Sequence, residues 1–341
     1  MFQPLLNKVV ELKDLSRDEA MKAMDLIMNG EVAPARLASF LTALRIKGET
    51  VEEITGFALT MRNKARRIET TTSNVIDTCG TGGDGGITFN ISTASAIVAA
   101  SGGVKVAKHG NRAVSSKSGS ADVLEKLGVS IQLAENEALS CLNLTNLCFM
   151  FAPLYHQAMR HAVSTRKEIG FRTVFNLLGP LTNPASADRQ LIGVYDVSLA
   201  EKLAQVLREL GLSRCLVVAS EDGMDEISVS ASTKIVELKN GEINTYYVTP
   251  EDLGLNRYRI EDVTGGGAEA NATIIRDIFS GAKGANREIV LANTAAALYL
   301  ADHCSTLKEG VQLAAELIDQ GLAMGKLEQL IEVTGGLCHA S

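Results

Sequence analysis

Five glycines fall in the seven positions 80 to 86 of the run Asp77-Thr78-Cys79-Gly80-Thr81-Gly82-Gly83-Asp84-Gly85-Gly86, immediately after the β-branched pair Val75–Ile76. A strand that runs into so many glycines brings bare backbone against something else, because glycine alone takes φ > 0 without steric cost and lets consecutive N–H groups converge. The helix expected from Asn90-Ile91-Ser92-Thr93 adds its positive N-terminal end, so the loop reads as an anion cradle suited to phosphate. A tight turn without a ligand is the plain alternative.

The spacing Gly80-x-Gly82-x-x-Gly85 also fits the dinucleotide fingerprint, which requires an acidic residue about 20 positions further on to bind ribose hydroxyls. Here the next strand ends in Lys108-His109-Gly110-Asn111-Arg112, and residues 85 to 121 contain neither Asp nor Glu. They carry Lys105, Lys108, His109, Arg112 and Lys117, interleaved with the hydroxyls Thr88, Ser92, Thr93, Ser115, Ser116, Ser118 and Ser120. In a chain of net charge −7, an acid-free basic segment beside a glycine loop implies a pocket for a multiply charged anion. A basic surface face would not account for the hydroxyls.

The elements around the loop follow from periodicity. Ser16-Arg17-Asp18-Glu19 is a capping box with Gly30 as the stop. Leu37, Phe40, Leu41 and Leu44 recur at helical spacing after Pro34, and Thr50-Val51-Glu52-Glu53 opens a further helix carrying Ile54, Phe57, Ala58 and Met61. These predict a helical domain over 1–70. Beyond it, short runs at Val75–Ile76, Val104–Ala107, Val129–Leu133, Leu147–Phe151, Leu191–Val194 and Cys215–Ala219 alternate with helical stretches, which predicts an α/β domain over 71–341 with a mostly parallel sheet. Lys239-Asn240-Gly241-Glu242 predicts a type I′ hairpin at an antiparallel edge. Gly265-Gly266-Gly267 precedes a helical tail from Ala268 to Ile331. The segment at about 166–188 breaks the alternation and is expected to return to the helical domain.

Asp225-Glu226 lies just beyond the strand Cys215–Ala219, at the rim where open α/β sheets hold ligands. Two adjacent carboxylates suit Mg2+, which keeps several waters and shares phosphate oxygens, although an exposed acidic turn would look the same. Asp84 carries the same ambiguity. The planar forks of Arg166 and Arg172 suit a carboxylate or a packing role equally. His109, His156 and His161 lack metal-ligand spacing and read as satisfied polar residues.

Composition removes other classes. The chain is 4% aromatic with no Trp, and with its acidic balance it has neither the platform nor the field of a nucleic-acid binder. Six cysteines without a C-x-x-C pair imply reduced thiols and a cytoplasmic setting, and no apolar run suggests a signal peptide or a membrane span.

Six motifs in order resemble the anthranilate phosphoribosyltransferase family over essentially the whole chain: Cys79-Gly-Thr-Gly-Gly-Asp84, Asn90-Ile-Ser-Thr93, Lys108-His-Gly-Asn-Arg112, Ser118-Gly-Ser-Ala-Asp122, Arg172-Thr-x-Phe-Asn-x-Leu-Gly-Pro-Leu-x-Asn-Pro184 and Gly223-Met-Asp-Glu226. The resemblance implies a fold like that of class II nucleoside phosphorylases, a homodimer joined through helical domains, and transfer of ribose 5-phosphate from phosphoribosyl pyrophosphate to anthranilate with Mg2+. It also implies the site. The donor would meet Gly80, Gly83, Asp84, Thr88, Asn90, Ile91, Ser92, Thr93, the run Lys108-His109-Gly110-Asn111-Arg112-Ala113-Val114-Ser115-Ser116, and Ser120. Mg2+ would touch Ser92, Asp225 and Glu226. Anthranilate would meet Gly80, Asn111 and Arg166, with Arg166 on its carboxylate, and Lys108, Asn111 and Arg166 would carry catalysis. Ser164-Thr165 departs from the family pattern, which has Pro and an aliphatic residue before that arginine. A nucleoside phosphorylase-like enzyme and a non-catalytic protein binding a phosphorylated metabolite are the competing readings.

Overall fold

A computed structural model describes residues 1–70, 73–82, 88–113 and 117–339. Four helices come first, α1 (Phe2–Val10), α2 (Arg17–Met28), α3 (Pro34–Lys47) and α4 (Val51–Lys64). Capping boxes at Ser16/Glu19 and Thr50/Glu53 start α2 and α4, and Gly30 turns the chain out of α2 with φ 75°. The first helix was not anticipated from the sequence, yet its buried Phe2, Leu5, Leu6 and Val9 fall at i, i+3, i+4 and i+7. Glu53, with its side chain fully buried, receives Lys47 Nζ at 2.8 Å and the backbone N–H of Leu15 at 2.9 Å, which pins the start of α4 to the α1–α2 connection.

The rest alternates strands and helices: β1 (Ile76–Gly80), α5 (Ile91–Ser101), β2 (Val106–Gly110), α6 (Ser120–Leu127), α7 (Glu135–Thr145), β3 (Leu147–Phe151), α8 (Ala152–Tyr155), α9 (Arg160–Ile169), α10 (Val174–Leu178), β4 (Arg189–Gly193), α11 (Ala200–Glu209), β5 (Arg214–Ser220), β6 (Thr233–Lys239), β7 (Glu242–Val248), then α12 (Ala268–Phe279), α13 (Ala285–Leu300), α14 (Leu307–Asp319) and α15 (Leu322–His339). The seven strands form one sheet in the order β3-β2-β1-β4-β5-β6-β7. The first five are parallel, and β6 and β7 close the edge as an antiparallel hairpin whose turn residues Asn240 and Gly241 both have positive φ.

Period-two alternation sends the strand residues to two cores. In β5, Leu216 and Val218 join a core with α5 and α12 to α15, whereas Cys215, Val217 and Ala219 join a second core with α11, α10 and the N-terminal helices. The segment 160–178 packs on that second side: α9 touches α2 and α3, and α10 touches α3 and α4. Arg62 on α4 donates to the carbonyl of Leu181 at 2.7 Å, and Ile68 N–H to that of Pro184 at 3.1 Å.

Val129–Leu133 is not a strand. Val129, Ile131 and Leu133 are buried as the alternation predicts. The backbone nevertheless bonds no neighbouring strand: Val129 N–H donates to the Leu124 carbonyl, Ser130 N–H to Thr334 Oγ1, and the Leu133 carbonyl accepts from Tyr155 Oη. Period two thus reports an extended chain with one buried side, which a ladder is only one way to satisfy. The last helical stretch also continues beyond Ile331, to His339. Among the described residues no helix is long and apolar enough to cross a membrane.

Candidate active site

Strand order reverses between β1 and β4, and at such a switch point the connections diverge to leave a crevice at the carboxyl ends of the strands. Much of what lines this crevice comes from those ends: Gly80–Gly82 at the end of β1, the 110–113 turn after β2, and the Asp225 loop after β5. Gly80 and Gly193 are register partners on β1 and β4, and a Cβ on either would overlap Asp225. Two adjacent glycines therefore allow the carboxylate loop to lie on the sheet end, where Asp225 Oδ2 accepts the N–H of Gly82 at 2.8 Å. Gly193 was not singled out from the sequence. Its signal, a glycine ending a β-branched strand, has no meaning until the register is known.

Two cavities of opposite character meet here. One, about 360 Å3, is polar and is lined by Gly80, Thr81, Gly82, Thr88, the Asn90–Thr93 helix start, Lys108–Ala113, Ser118–Ser120, Asp225 and Glu226, with Arg172 and Asn176. The other, about 410 Å3, is mainly apolar and is lined by Met61, Ala152, Pro153, Met159, Val163, Phe175 and Pro180, with Arg166, His156 and Thr182. They share Cys79, Gly80, His109, Gly110 and Asn111. The residues expected to meet a phosphorylated sugar line the first and Arg166 lines the second, with Gly80 and Asn111 at the junction. Gly83, Asp84, Val114, Ser115 and Ser116 lie outside the described residues.

Lys108 is buried, donating to the Thr78 carbonyl and, at 3.2 Å, to Ser92 Oγ. Burial pulls its pKa down, and the neighbouring carboxylates of Asp77 and Glu226 oppose that shift. Asp77 lies wholly inside; burial raises its pKa, while Asn183, Lys108 and the N–H of His109 favour its charged form. Gln190 Nε2 donates to the Pro180 carbonyl at 2.6 Å and approaches Asp77 and Cys79, which links the floor of the polar cavity to the wall of the apolar one.

Several groups differ from their sequence reading. The guanidinium of Arg112 is held by Glu125 and Asp122 at 2.5 and 3.0 Å, so its charge is already matched. The side chain of Asn90 latches Ser118 and Asn271, leaving the helix start itself to face the cavity. Lys105 and Lys117 lie away from the cavity lining. His109 and His156 are half satisfied, each ring bonding one backbone carbonyl, that of Gly179 and that of Thr182. Their rings stand 5.0 Å apart, each has a buried Nε2 without a hydrogen-bond partner, and both line the apolar cavity. Burial pushes their pKa values down to about 3 and about 4, so both are neutral at pH 7. In the polar cavity, Thr81 and Thr93 likewise carry buried hydroxyls without partners. Residues that line a cavity and keep an orphaned polar atom call for an explanation, and completion by a ligand is one.

A switch-point sheet with a helical bundle on one side and a diphosphate-sized polar cavity joined to an apolar one is the arrangement of a glycosyl transferase. The family model described as glycosyl transferase family, helical bundle domain, matches residues 3–65, and the one described as glycosyl transferase family, a/b domain, matches residues 72–324. The chain is 57% identical over 341 residues, the whole of both chains, to an anthranilate phosphoribosyltransferase of Brevibacillus brevis. It is also similar to the crystal structure of that enzyme from Thermus thermophilus (TM-score 0.92, 42% identity, 96% of this chain and 98% of that one). The Saccharomyces cerevisiae enzyme in complex with PRPP and Mg is similar at TM-score 0.91 and 28% identity, over 98% of each chain. The chain belongs to the anthranilate phosphoribosyltransferase family.

Proposed function

We propose that this chain transfers the 5-phosphoribosyl group of phosphoribosyl pyrophosphate to the amine of anthranilate, giving N-(5-phosphoribosyl)anthranilate and pyrophosphate in L-tryptophan biosynthesis. The carrying observation is the pair of abutting cavities, polar and apolar, whose shared wall is Gly80, His109, Gly110 and Asn111. An anionic sugar diphosphate fits the first and a flat aromatic acid the second, and their reacting atoms would meet at the junction.

The amine attacks the anomeric carbon as the C–O bond to pyrophosphate breaks, with inversion, and the amine then loses a proton. An aromatic amine is neutral at pH 7, so no strong base is needed. The protein's work is charge stabilisation and orientation. Lys108 and the N–H groups at the start of α5 face the leaving diphosphate. Arg166, desolvated beside Phe175 with its guanidinium 5.0 Å from the ring centre, takes the acceptor's carboxylate. Asn111 Oδ1 accepts the N–H of Arg112 at 2.8 Å, which leaves its amide nitrogen to orient the acceptor. Thr165, in the departure from the family pattern, is buried, whereas Ser164 is exposed.

The donor set of Ser92, Asp225 and Glu226 is hard oxygen on one wall of the polar cavity, and among the described residues no larger carboxylate, His or Cys cluster forms a complete cage. That fits Mg2+ completed by waters and substrate phosphates, which would neutralise charge on the departing pyrophosphate.

The homodimer is proposed on the helical side, where Val10, Leu12 and Ile46 are 58%, 60% and 74% exposed around one apolar groove. The packing of α9 and α10 on α2 to α4 supports a helical unit of 1–70 joined by about 166–188.

The test is loss of anthranilate fluorescence. It is expected only with donor and Mg2+ together. Phosphorolysis of a nucleoside by orthophosphate at a comparable rate would favour the phosphorylase reading, and donor binding without either reaction would favour the non-catalytic one.

A further inference from the structure

Of the full cations on the polar cavity, Arg112 is ion-paired with Glu125 and Asp122, and Lys108 stands in the field of Asp77 and Glu226. Arg172 differs. Among the described residues it has no carboxylate within ion-pair distance, and its guanidinium lies 4.2 Å from the centre of the Tyr195 ring. Tyr195 lies two residues beyond the end of β4. Stacking uses the face of a guanidinium and leaves its in-plane N–H fork to bond elsewhere. The main chain of Arg172 is fixed from the helical side, its carbonyl accepting from Arg45 Nη1 at 2.9 Å. Four residues on, Asn176 lines the same cavity. Its Oδ1 accepts the N–H of Thr173 at 3.1 Å to cap α10, which commits the oxygen and leaves the amide N–H2 as the group it can offer.

We infer that Arg172 and Asn176 form a phosphate-binding wall of the donor cavity, with Tyr195 as the positioning residue that aims the arginine fork. The inference rests on reading the polar cavity as the donor site. It adds a contact supplied by the segment anchored to the helical bundle, where Lys108 and the start of α5 belong to the α/β unit. The chemistry is bidentate capture of a phosphate, which belongs either to the pyrophosphate or to the sugar 5-phosphate.

The experiment is calorimetric binding of inorganic pyrophosphate and, separately, ribose 5-phosphate, each with Mg2+, to the intact protein and to Arg172→Gln, Arg172→Lys and Tyr195→Leu, alongside steady-state KM values and thermal melts. A charge-assisted hydrogen bond predicts that Arg172→Gln weakens one probe by about 10- to 100-fold, raises the donor KM in parallel and leaves the anthranilate KM unchanged. The probe that weakens identifies the phosphate. Arg172→Lys should recover part of the loss, and Tyr195→Leu should give an intermediate loss. Unchanged affinity for both probes in Arg172→Gln, with only a lower Tm, would reduce Arg172 to a structural joint and overturn the inference, as would a rise confined to the anthranilate KM. Failure of the unaltered protein to bind either probe would instead remove the donor-site reading, and the inference with it.

Discussion

Gly193 lies directly beneath the main-chain carbonyl of Asp225, so close that any Cβ at this position would occupy the same space. The obstacle is backbone and cannot swing aside as a side chain would. Gly193→Ala must therefore push the carboxylate loop off the end of β4. Displacement of positioning groups by about 1 Å costs on the order of 100-fold in rate, so kcat/KM should fall by about that factor while the Mg2+ concentration needed for half-maximal activity rises. A titration of activity against Mg2+ in the variant checks this.

Lys108→Met and Asp225→Ala should each separate turnover from folding. Lys108 carries a desolvated charge, and Asp77 keeps the His109 N–H and Gln190 amide when the lysine is removed. Loss of one preorganised donor to developing charge costs about 100- to 1000-fold in kcat. Melting temperatures within a few degrees of the parent, about 1 kcal/mol, are expected alongside that loss. Near-normal turnover in either variant would contradict the assigned roles.

Arg166→Ala should act on the acceptor alone. Its guanidinium lines the apolar cavity and is absent from the polar one. The anthranilate KM is expected to rise about 10- to 100-fold, the range for a lost charged hydrogen bond, with the donor KM unchanged. Parallel increases in both would place the arginine at the domain junction.

Acid should destabilise the fold through His109 and His156. Both are held neutral, with pKa values near 3 and 4 against about 6.5 in an unfolded chain. Between those limits the unfolded state binds more protons, so stability falls as pH drops below about 6.5, by up to about 1.4 kcal/mol per pH unit for each ring. A double His109→Gln, His156→Gln variant should show a flatter dependence of Tm on pH from 6.5 to 4.5.

Much of this was legible in the residues. Helix caps at Ser16 and Thr50 and the Asn240-Gly241 turn encode local backbone geometry, and local geometry survives folding. Relations between distant segments were hidden. Nothing local to Gly193 announces Asp225, and nothing around Arg112 says that Glu125 neutralises it, because each depends on strand register or on which helix follows. The histidines mislead for the same reason: whether a ring nitrogen finds a partner is decided by the cavity wall opposite it. Val129–Leu133 shows the converse, a correct burial pattern attached to the wrong element.

The most direct test of transfer between the two cavities is pyrophosphate release in the presence of phosphoribosyl pyrophosphate and Mg2+, measured with and without anthranilate. The account predicts release that depends on anthranilate, matches its consumption mole for mole and stops when Mg2+ is chelated. Release at the same rate without anthranilate would contradict it, because the apolar cavity would then hold no acceptor for the sugar.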